Sequence, residues 1–427
     1  MEGFPEDLDR AALEQAQLDG LRALLAEILP ANRFYACKLA EAGLAAGEIQ
    51  SLEDIRRLPF TTKAELIADQ EACPPYGGML TYPLTRYSRM HQTSGTAGKP
   101  LRWLDTPESW QWLLGCWEKM FRIAGLRLGE RLFFPFSFGP FLGFWTAFEG
   151  AWRLGYLSLP GGGMSSGARL RFLLDNEATM VLCTPTYALR LAEVAAQEGI
   201  DLASSPVRAL IVAGEPGGSI PTTRARMETA WGARVFDHHG LTEVGALGME
   251  CEANPAGLHI LETDYLAEVI EPQSGQGVKP GEVGELVLTN LGRWGSPLLR
   301  YRTGDLVRLD PRPCSCSRAL VRLEGGILGR TDDMIHVRGN NFYPSALEAI
   351  LRRFAEVAEY RVEVDRSGPL AALRIAVEPV TPERGLDLRE RVGRAIRDEL
   401  LFRAEVDVVS PGSLPRFEMK AQRVVWK

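Results

Sequence analysis

Short apolar runs alternate with helical segments between residues 125 and 260, and no other feature limits the possible folds as strongly. RLFFPFS, TMVLCTP, RALIVAG and ARVFDHHG are typical of strands, and the segments between them, such as GARLRFLLDNE and TTRARMETAWG, have helical spacing. Strands that alternate with helices in this way form a mostly parallel sheet covered by helices. The sequence therefore predicts an α/β fold.

The segments on either side of this region have a different character. Residues 7–70 are mainly helical, whereas residues 262–330 contain short strands and turns that indicate a β-rich, barrel-like subdomain. A chain of 427 residues is longer than the chains that usually fold around a single hydrophobic core. We therefore predict a large N-terminal domain, residues 1–330, and a small α+β C-terminal domain, residues 331–427.

Composition and charge exclude several classes of function. A net charge of -7 disfavours a nucleic-acid-binding surface. The most apolar run, LFFPFSFGPFLGFW, is too short to span a bilayer and is interrupted by Pro and Gly. The acidic, polar start is not typical of a signal peptide, and the seven mostly isolated cysteines fit a reducing compartment. We expect a cytoplasmic protein that binds neither nucleic acid nor membranes.

The segment HQTSGTAGKP, residues 91–100, has the composition of an anion-binding loop. Its glycines allow backbone N–H groups to point inward, its hydroxyl groups add donors, and Lys99 adds a positive charge. It is not a Walker A loop, because Gly95 and Gly98 are too close together and Pro100 stands where a Mg²⁺-binding hydroxyl is needed. On these residues alone, a phosphate-binding loop and a polar connector are equal alternatives.

Five further motifs follow this loop in a fixed order. They are AGEP (213–216), HHGLTEVG (238–245), YRTGDLV (301–307), GRTDDMIHVRGNNFYPSALE (329–348) and LPRFEMKAQRV (414–424). Together with TSGTAGKP, they resemble the adenylate-forming superfamily of acyl-CoA synthetases, peptide-synthetase adenylation domains and luciferases. LPFTTKAEL and MECEANPAGLHI are more narrowly similar to the phenylacetate–CoA ligase family. The resemblance implies an acetyl-CoA synthetase-like fold from about residue 30 to the end.

The resemblance implies an ATP-dependent carboxylate–CoA ligase, which forms an acyl-adenylate and then a CoA thioester. Thr242 is expected to contact the α-phosphate, Glu243 to hold Mg²⁺, and Lys420 to bridge the substrate carboxylate and the phosphate. Glu418 and Met419 stand near Lys420 where the family commonly has Gly. The loop residues are expected to close over the β- and γ-phosphates: Thr93, Ser94, Gly95, Thr96, Gly98 and Lys99.

The same motifs imply the nucleoside side of the site. Asp305 is expected to accept hydrogen bonds from the ribose, with support from Arg330. Asp332 matches the interdomain hinge, and Gly339 matches the passage of the pantetheine arm. The residues expected around the adenine are Gly214, Glu215, Pro216, His238, His239 and Gly240.

His239 departs from the family pattern, because a Tyr usually stands at this position and stacks on the adenine. A histidine can also stack and form hydrogen bonds, but its charge changes close to physiological pH. We therefore expect nucleotide affinity to be weaker or to depend on pH.

Four possible metal ligands form a second group. ECEANPAGLH separates Cys251 from His259 by seven residues, and PCSCSR contains Cys314 and Cys316. Cysteines that are buried or paired at the surface, with a histidine near a turn, would explain the same residues. Four such ligands suit a closed tetrahedral zinc site, and some proteins that resemble this family bind zinc at matching positions. We therefore predict a structural Zn²⁺.

The acid substrate and the acceptor are less constrained. Phe136, Phe138, Phe141 and Trp145 either line a slot for a flat acid or belong to the core. By resemblance we favour an aryl or arylacetic acid. A carrier protein in place of CoA, and a nucleotide-binding protein without turnover, stay open as alternatives, as does a homodimer.

Overall fold

The computed structural model describes residues 4–93, 99–337, 340–365, 372–417 and 421–426. Its helices are α1 (Arg10–Ile28), α2 (Arg33–Glu41), α3 (Lys63–Ala72), α4 (Pro107–Ile123), α5 (Trp145–Arg153), α6 (Ser166–Asp175), α7 (Pro185–Gln197), α8 (Pro221–Trp231), α9 (Pro344–Arg352) and α10 (Leu388–Leu400). Its strands are β1 (Arg89–Gln92), β2 (Arg102–Asp105), β3 (Arg131–Phe134), β4 (Leu157–Pro160), β5 (Met180–Cys183), β6 (Ala209–Val212), β7 (Arg234–Leu241), β8 (Gly245–Met249), β9 (Gly257–Ile260), β10 (Tyr265–Ile270), β11 (Val283–Asn290), β12 (Tyr301–Arg308), β13 (Arg322–Glu324), β14 (Gly329–Arg330), β15 (Ile335–Val337), β16 (Asn340–Phe342), β17 (Val357–Asp365), β18 (Ala372–Pro379), β19 (Glu405–Val408) and β20 (Val424–Trp426).

The central layer is a sheet of eight strands from the described part of the chain, in the order β13-β9-β8-β7-β6-β5-β3-β4. The five strands from β4 to β7 run parallel, and β8, β9 and β13 continue the sheet antiparallel. Every residue of β5 and β6 is buried, as expected for parallel strands that are covered by helices on both faces. The predicted α/β class is confirmed, and the antiparallel extension was not predicted.

Local sequence signals explain where the helices around this sheet begin. The hydroxyls of Thr106 and Thr184 accept hydrogen bonds from backbone N–H groups in the first turns of α4 and α7. Each Thr is followed by a Pro at the first helical position, where its missing N–H costs nothing. The Thr-Pro pairs therefore turn the chain from strand to helix directly after β2 and β5.

The predicted β-rich segment forms an antiparallel sheet with the order β10-β11-β12-β14. One strand of this segment does not belong to it, which corrects the expectation for residues 262–330. β13 pairs with β9, with Arg322 opposite His259, and so lies at the edge of the large sheet. The reason is that the edge of β9 carries backbone N–H and C=O groups that need partners, and β13 supplies them.

The C-terminal region has a sheet of its own, in the order β19-β18-β17-β20, with α9 and α10 beside it. Its apolar side chains, including Leu351, Val362, Ile375 and Val392, form a separate buried cluster. β20 was not predicted; it pairs parallel to β17, with Val424 opposite Val362. Within the described ranges, the helices are all too short or too polar to cross a bilayer. The domain boundary at residue 330 stays a prediction.

A buried ion pair joins distant parts of the N-terminal region. Asp105 ends β2, and Arg293 follows β11; both side chains are fully buried. Nε and Nη2 of Arg293 each donate to one carboxylate oxygen of Asp105 at 2.7 Å. Nη1 donates to the backbone carbonyls of Thr242 and Glu243, at 2.8 and 3.0 Å. One guanidinium therefore fixes β2, the chain after β11 and the turn between β7 and β8.

We expect Asp105→Asn to lower the free energy of unfolding by about 3–5 kcal/mol, because it leaves the Arg293 charge buried without its partner. Urea unfolding followed by tryptophan fluorescence measures the change. The control is Glu108→Gln, which breaks the exposed Arg86–Glu108 pair and should cost less than about 1 kcal/mol. Equal losses in the two variants would contradict the role assigned to the buried pair.

Candidate active site

The parallel strands bring several motifs to one edge of the large sheet. β5 ends before Thr184, β6 ends before the AGEP segment, and β7 ends in the HHGL segment. Because parallel strands point in one direction, the residues after their carboxyl ends lie side by side, and this edge is the usual ligand-binding edge of such sheets. Motifs that are up to 60 residues apart in sequence therefore meet through the topology alone.

Glu243 lies in the turn between β7 and β8, and its carboxylate is fixed on one side. The Tyr301 hydroxyl donates to Oε1 at 3.0 Å, and Lys63 Nζ lies 3.6 Å from the same oxygen. Burial and the neighbouring Glu243 charge raise the pKa of Tyr301 well above its ordinary value, so the phenol stays a donor. Neither Tyr301 nor Lys63 was singled out in the sequence, although both stand in or beside recognised motifs.

Asp305 forms the centre of a second polar group. His239 Nε2 lies 3.0 Å from Oδ2, and Arg330 Nη1 donates to Oδ1 at 2.9 Å. The antiparallel pairing of β12 and β14 places Arg330 directly opposite Asp305. Burial alone would raise the pKa of Asp305, but the His239 hydrogen bond and the Arg330 charge bring it below its ordinary value. The carboxylate is therefore ionised and can accept further hydrogen bonds.

Arg330 also connects Asp305 to the predicted hinge. Its Nε donates to Oδ1 of Asp332 at 2.9 Å. The exposed Asp332 and the buried Asp305 thus share one guanidinium. Of the residues that the resemblance assigns to the nucleoside and the hinge, the structure brings together His239, Asp305, Arg330 and Asp332.

His238 and His239 are adjacent in sequence and face different surroundings. The His238 ring is buried 4.5 Å from the Trp117 ring, and its Nδ1 lies 2.8 Å from the Gly248 carbonyl. Burial lowers the pKa of His238 to about 3, so this ring is neutral. Successive side chains of a strand point to opposite faces, which sends His238 into the core and His239 to Asp305. His238 therefore lies in the core, and its expected place around the adenine stays a prediction.

The AGEP segment contributes a carboxylate with two backbone partners. Gly214 has a φ of +93°, a conformation that favours glycine, and it turns the chain sharply after β6. Glu215 then accepts a hydrogen bond from Thr186 N at 2.8 Å through Oε1 and from Ala421 N at 2.7 Å through Oε2. Both oxygens of the Glu215 carboxylate thus accept hydrogen bonds from backbone amides. The expected places of Gly214, Pro216 and Gly240 around the adenine stay predictions.

Asp237 is a functional candidate that the sequence analysis missed. It is the last residue of the apolar RVFD run, and it lies buried beside Gly218 and Gly326. The Ser219 hydroxyl donates to its Oδ2, and burial raises the pKa of Asp237 to about 6. A lone carboxylate at the carboxyl end of a parallel strand was the available signal.

The predicted phosphate loop is described only at its two ends. Thr93 is buried, and its hydroxyl accepts a hydrogen bond from Leu101 N at 3.0 Å. Lys99 is exposed and forms an ion pair with Glu71 at 2.7 Å. Six predicted residues lie outside the described residues: Ser94, Gly95, Thr96, Gly98, Gly339 and Lys420.

The predicted zinc ligands come together. The Sγ atoms of Cys251, Cys314 and Cys316 and a ring nitrogen of His259 all lie within 4.8 Å of one another. Cys251 Sγ is 3.7 Å from Cys314 Sγ, and Cys316 Sγ is 3.4 Å from His259 Nε2. His259 Nδ1 lies 3.2 Å from the Leu320 carbonyl, which favours the tautomer with a free Nε2. Pairing of β13 with β9 closes this cluster, because it returns the chain after Cys316 to His259.

The aromatic residues before α5 pack on one another and on the first turn of α5. Phe138 makes edge contacts with Phe136, Trp145 and Phe148 at centroid distances of 5.2, 4.9 and 5.1 Å. Phe136, Phe138, Phe141 and Trp145 are all half-buried. Half-buried rings at the surface of a cluster are compatible with both predicted roles, a lining of the acid slot and a part of the core.

Comparison with known proteins identifies the family. A curated phenylacetate–coenzyme A ligase of Thermus thermophilus is 33% identical over 434 residues, which cover 97% of this chain and 96% of the relative. Residues 339–427 match the family described as the AMP-binding enzyme C-terminal domain. The chain belongs to the phenylacetate–CoA ligase family. The family and the adenylate-forming fold that were predicted from the motifs are confirmed.

Two crystal structures of 2-hydroxyisobutyryl-CoA ligase are similar to this chain to different degrees. The structure in the postadenylation state, in complex with 2-HIB-AMP, has a TM-score of 0.93 at 29% identity and covers 99% of this chain and 91% of its own. The same ligase with 2-HIB-AMP and CoA in the thioesterification state reaches 0.75 at 30% identity, with the same coverage. The arrangement of this chain is therefore more similar to the relative's postadenylation structure than to its thioesterification structure.

We expect Asp305→Asn to weaken ATP binding by about ten- to a hundredfold, because a neutral amide replaces an ionised acceptor that Arg330 and His239 hold in place. Isothermal titration with ATP measures the affinity. Asp310→Asn is the matched control: Asp310 is also held by an arginine, Arg322 at 2.6 Å, but it lies outside the candidate site. If both variants bind ATP like the wild type, Asp305 does not contact the nucleotide.

Proposed function

We propose that this chain is an ATP-dependent carboxylate–CoA ligase that acts on a small acid, with an aryl or arylacetic acid as the favoured class. The convergence of Glu243, Asp305 and Arg330 at the carboxyl edge of the parallel sheet is the observation that carries the proposal. Asp305 is an ionised acceptor held by Arg330 and by His239 of β7, and Glu243, in the turn after β7, is held by Tyr301; these contacts support the proposed roles of both carboxylates. Membership of the phenylacetate–CoA ligase family supports the reaction class.

The reaction has two half-reactions. In the first, a carboxylate oxygen of the acid attacks the α-phosphorus of ATP, the bond to the β-phosphate oxygen breaks, and pyrophosphate leaves. In the second, the sulfur of CoA attacks the acyl carbon, the bond to the AMP oxygen breaks, and the thiol proton passes to solvent. Both steps depend on the alignment of anions and the screening of their charge.

The residues of this chain would divide the first half-reaction between them. Thr242 would donate to the α-phosphate, and Asp305 would accept hydrogen bonds from the ribose hydroxyls. Mg²⁺, when bound, would be held by Glu243 and would screen the triphosphate charge. The fit is good, because Glu243 is a buried carboxylate oriented by Tyr301, and Mg²⁺ prefers such hard oxygen ligands. Lys420 would bridge the acid and the phosphate.

The acid class rests on two observations. The Thermus relative is a phenylacetate–coenzyme A ligase by name, and the segment before α5 contains half-buried aromatic rings. The crystallised relative acts on 2-hydroxyisobutyrate, a smaller, branched acid, so small aliphatic acids are the second class to test. A carrier protein in place of CoA stays the alternative acceptor.

We expect ATP–pyrophosphate exchange that depends on an added acid, and AMP release that depends on CoA. Exchange is measured over a panel of aromatic, arylacetic and short aliphatic acids, with the highest specificity constant among the aryl and arylacetic acids. Assays with free CoA and with a phosphopantetheinylated carrier protein identify the acceptor. No acid-dependent exchange over the whole panel would exclude the ligase and leave a nucleotide-binding protein without turnover.

We infer that Cys251, His259, Cys314 and Cys316 hold a structural Zn²⁺. Zn–S bonds of about 2.3 Å at tetrahedral angles place two sulfurs about 3.8 Å apart, close to the 3.7 Å between Cys251 and Cys314. Four protein ligands leave no coordination position for water, which is typical of structural zinc. The ion would tie β9 to the chain before β13 and so stabilise the edge of the large sheet.

We expect about one zinc per chain in protein that is purified without added metal, and a large loss of zinc in Cys314→Ser. Plasma emission spectroscopy measures the metal, and thermal unfolding should show a lower Tm for the metal-free variant. Cys37→Ser, at an exposed cysteine outside the cluster, is the control. Absence of stoichiometric metal from the wild type and the variant alike would refute the site.

Three further expectations remain predictions. Asp332 would be the hinge about which residues 331–427 rotate after the first half-reaction. Its contact with Arg330 supports this role, because the pair joins the end of the β-rich sheet to the following chain. A cytoplasmic location and a homodimer are the other two.

A further inference from the structure

The Glu215 carboxylate bridges two parts of the chain that are far apart in sequence. Its Oε1 accepts a hydrogen bond from Thr186 N in the first turn of α7, and its Oε2 accepts one from Ala421 N, at 2.8 and 2.7 Å. Ala421 directly follows Lys420 in the sequence. An ionised carboxylate can serve two N–H donors in this way, since both of its oxygens are acceptors.

A second contact reaches the same turn of α7. Arg423 is buried, and its Nε and Nη2 donate to the two carboxylate oxygens of Glu359 at 2.6 and 3.0 Å. Its Nη1 donates to the Thr186 hydroxyl at 3.0 Å. Glu359 lies on β17, so the guanidinium is fixed to the C-terminal sheet and extends from it to Thr186.

Both contacts involve Thr186 on α7 and the short segment of residues 421–423. Thr186 donates its backbone N–H to Glu215, and its hydroxyl accepts from Arg423. Residues 421 and 423 both lie just before β20. Arg226 of α8 adds a third contact beside them, through Nη1 and the Val357 carbonyl at 3.2 Å. Three of these contacts, Glu215–Ala421, Thr186–Arg423 and Arg226–Val357, join the part of the chain around the large sheet to the C-terminal part.

We propose that Glu215 and Thr186 form a docking seat that holds residues 421–423, and thereby positions the Lys420 segment for adenylate formation. Glu215 is then a positioning residue of the first half-reaction, beyond its expected place beside the adenine. The overall arrangement agrees with this role, because it matches the postadenylation state of the relative much better than the thioesterification state. This inference rests on the proposed ligase function.

The chemistry of the bridge explains why a carboxylate is needed. A glutamine at position 215 has one acceptor oxygen, and its amide nitrogen would face an N–H donor across the other contact. Glu215→Gln therefore removes one of the two bridging bonds with almost no change of volume. Thr186→Val has nearly the same shape, removes the hydroxyl that Arg423 contacts, and keeps the backbone N–H that Glu215 accepts.

The test compares the two half-reactions in the wild type, Glu215→Gln and Thr186→Val. Adenylate formation is followed by ATP–pyrophosphate exchange, and thioester formation is followed from a supplied acyl-adenylate and CoA. We expect each substitution to slow exchange by about ten- to a hundredfold, as loss of a charge-assisted hydrogen bond implies. Thioester formation should stay within about twofold of the wild type in Thr186→Val, because Thr186 is not among the residues expected around the adenine. Glu198→Gln, at the end of α7 and away from the C-terminal sheet, should change neither rate.

A measurement without turnover keeps the proposal separate from the ligase assignment. Hydrogen exchange followed by mass spectrometry reports on the peptide that contains Ala421, whose amide should exchange faster in Glu215→Gln than in the wild type. Unchanged hydrogen exchange at Ala421 in Glu215→Gln, or equal slowing of both half-reactions in Thr186→Val, would overturn the proposed seat. Failure of the wild type itself to form an adenylate would overturn the proposed function and leave the hydrogen-exchange result standing.

Discussion

The candidate site depends on the buried pair between Arg293 and Asp105. Two full charges out of water are costly, and their mutual attraction does not by itself make such a pair strongly stabilising. What it supplies is geometry: one planar guanidinium makes four hydrogen bonds, two to the Asp105 carboxylate and two to the carbonyls of Thr242 and Glu243. The turn that carries both residues is therefore positioned by a group that cannot shift without burying an unpaired charge.

Pairing of each charged group with its own partners also allows a chain of net negative charge to bind an anionic ligand. The chain has a net charge of -7, and carboxylates are concentrated where a triphosphate is expected. Each of them has donors of its own: Tyr301 for Glu243, Arg330 and His239 for Asp305, and two backbone amides for Glu215. Repulsion is thereby limited, and the carboxylates are left as oriented acceptors for hydroxyl groups and cations. Net charge says little about such a site, because local pairing decides its potential.

Local patterns predicted the parallel half of the sheet and the residues that gather at its edge, because both follow from short-range periodicity and from motif order. They could not predict that β13 pairs with β9, nor the three-residue strand β20, which pairs with β17. They also could not predict that the two neighbouring rings of HHGL differ, with His238 in the core and His239 beside Asp305. Partners at great sequence separation, such as Ala421 for Glu215 across 206 positions, carry no local signal at all.

The interface around Thr186 has to satisfy two opposing demands. The proposed function requires that the C-terminal sheet be held in one orientation for adenylate formation and released for thioester formation, and the relative has been crystallised in both states. Packed apolar surface would make the first orientation hard to leave. Hydrogen bonds to backbone amides and to one hydroxyl are directional, and water can replace them once the parts separate, so their net contribution is modest. A polar seat therefore gives definite geometry in one state without making the other inaccessible, as a two-state enzyme requires.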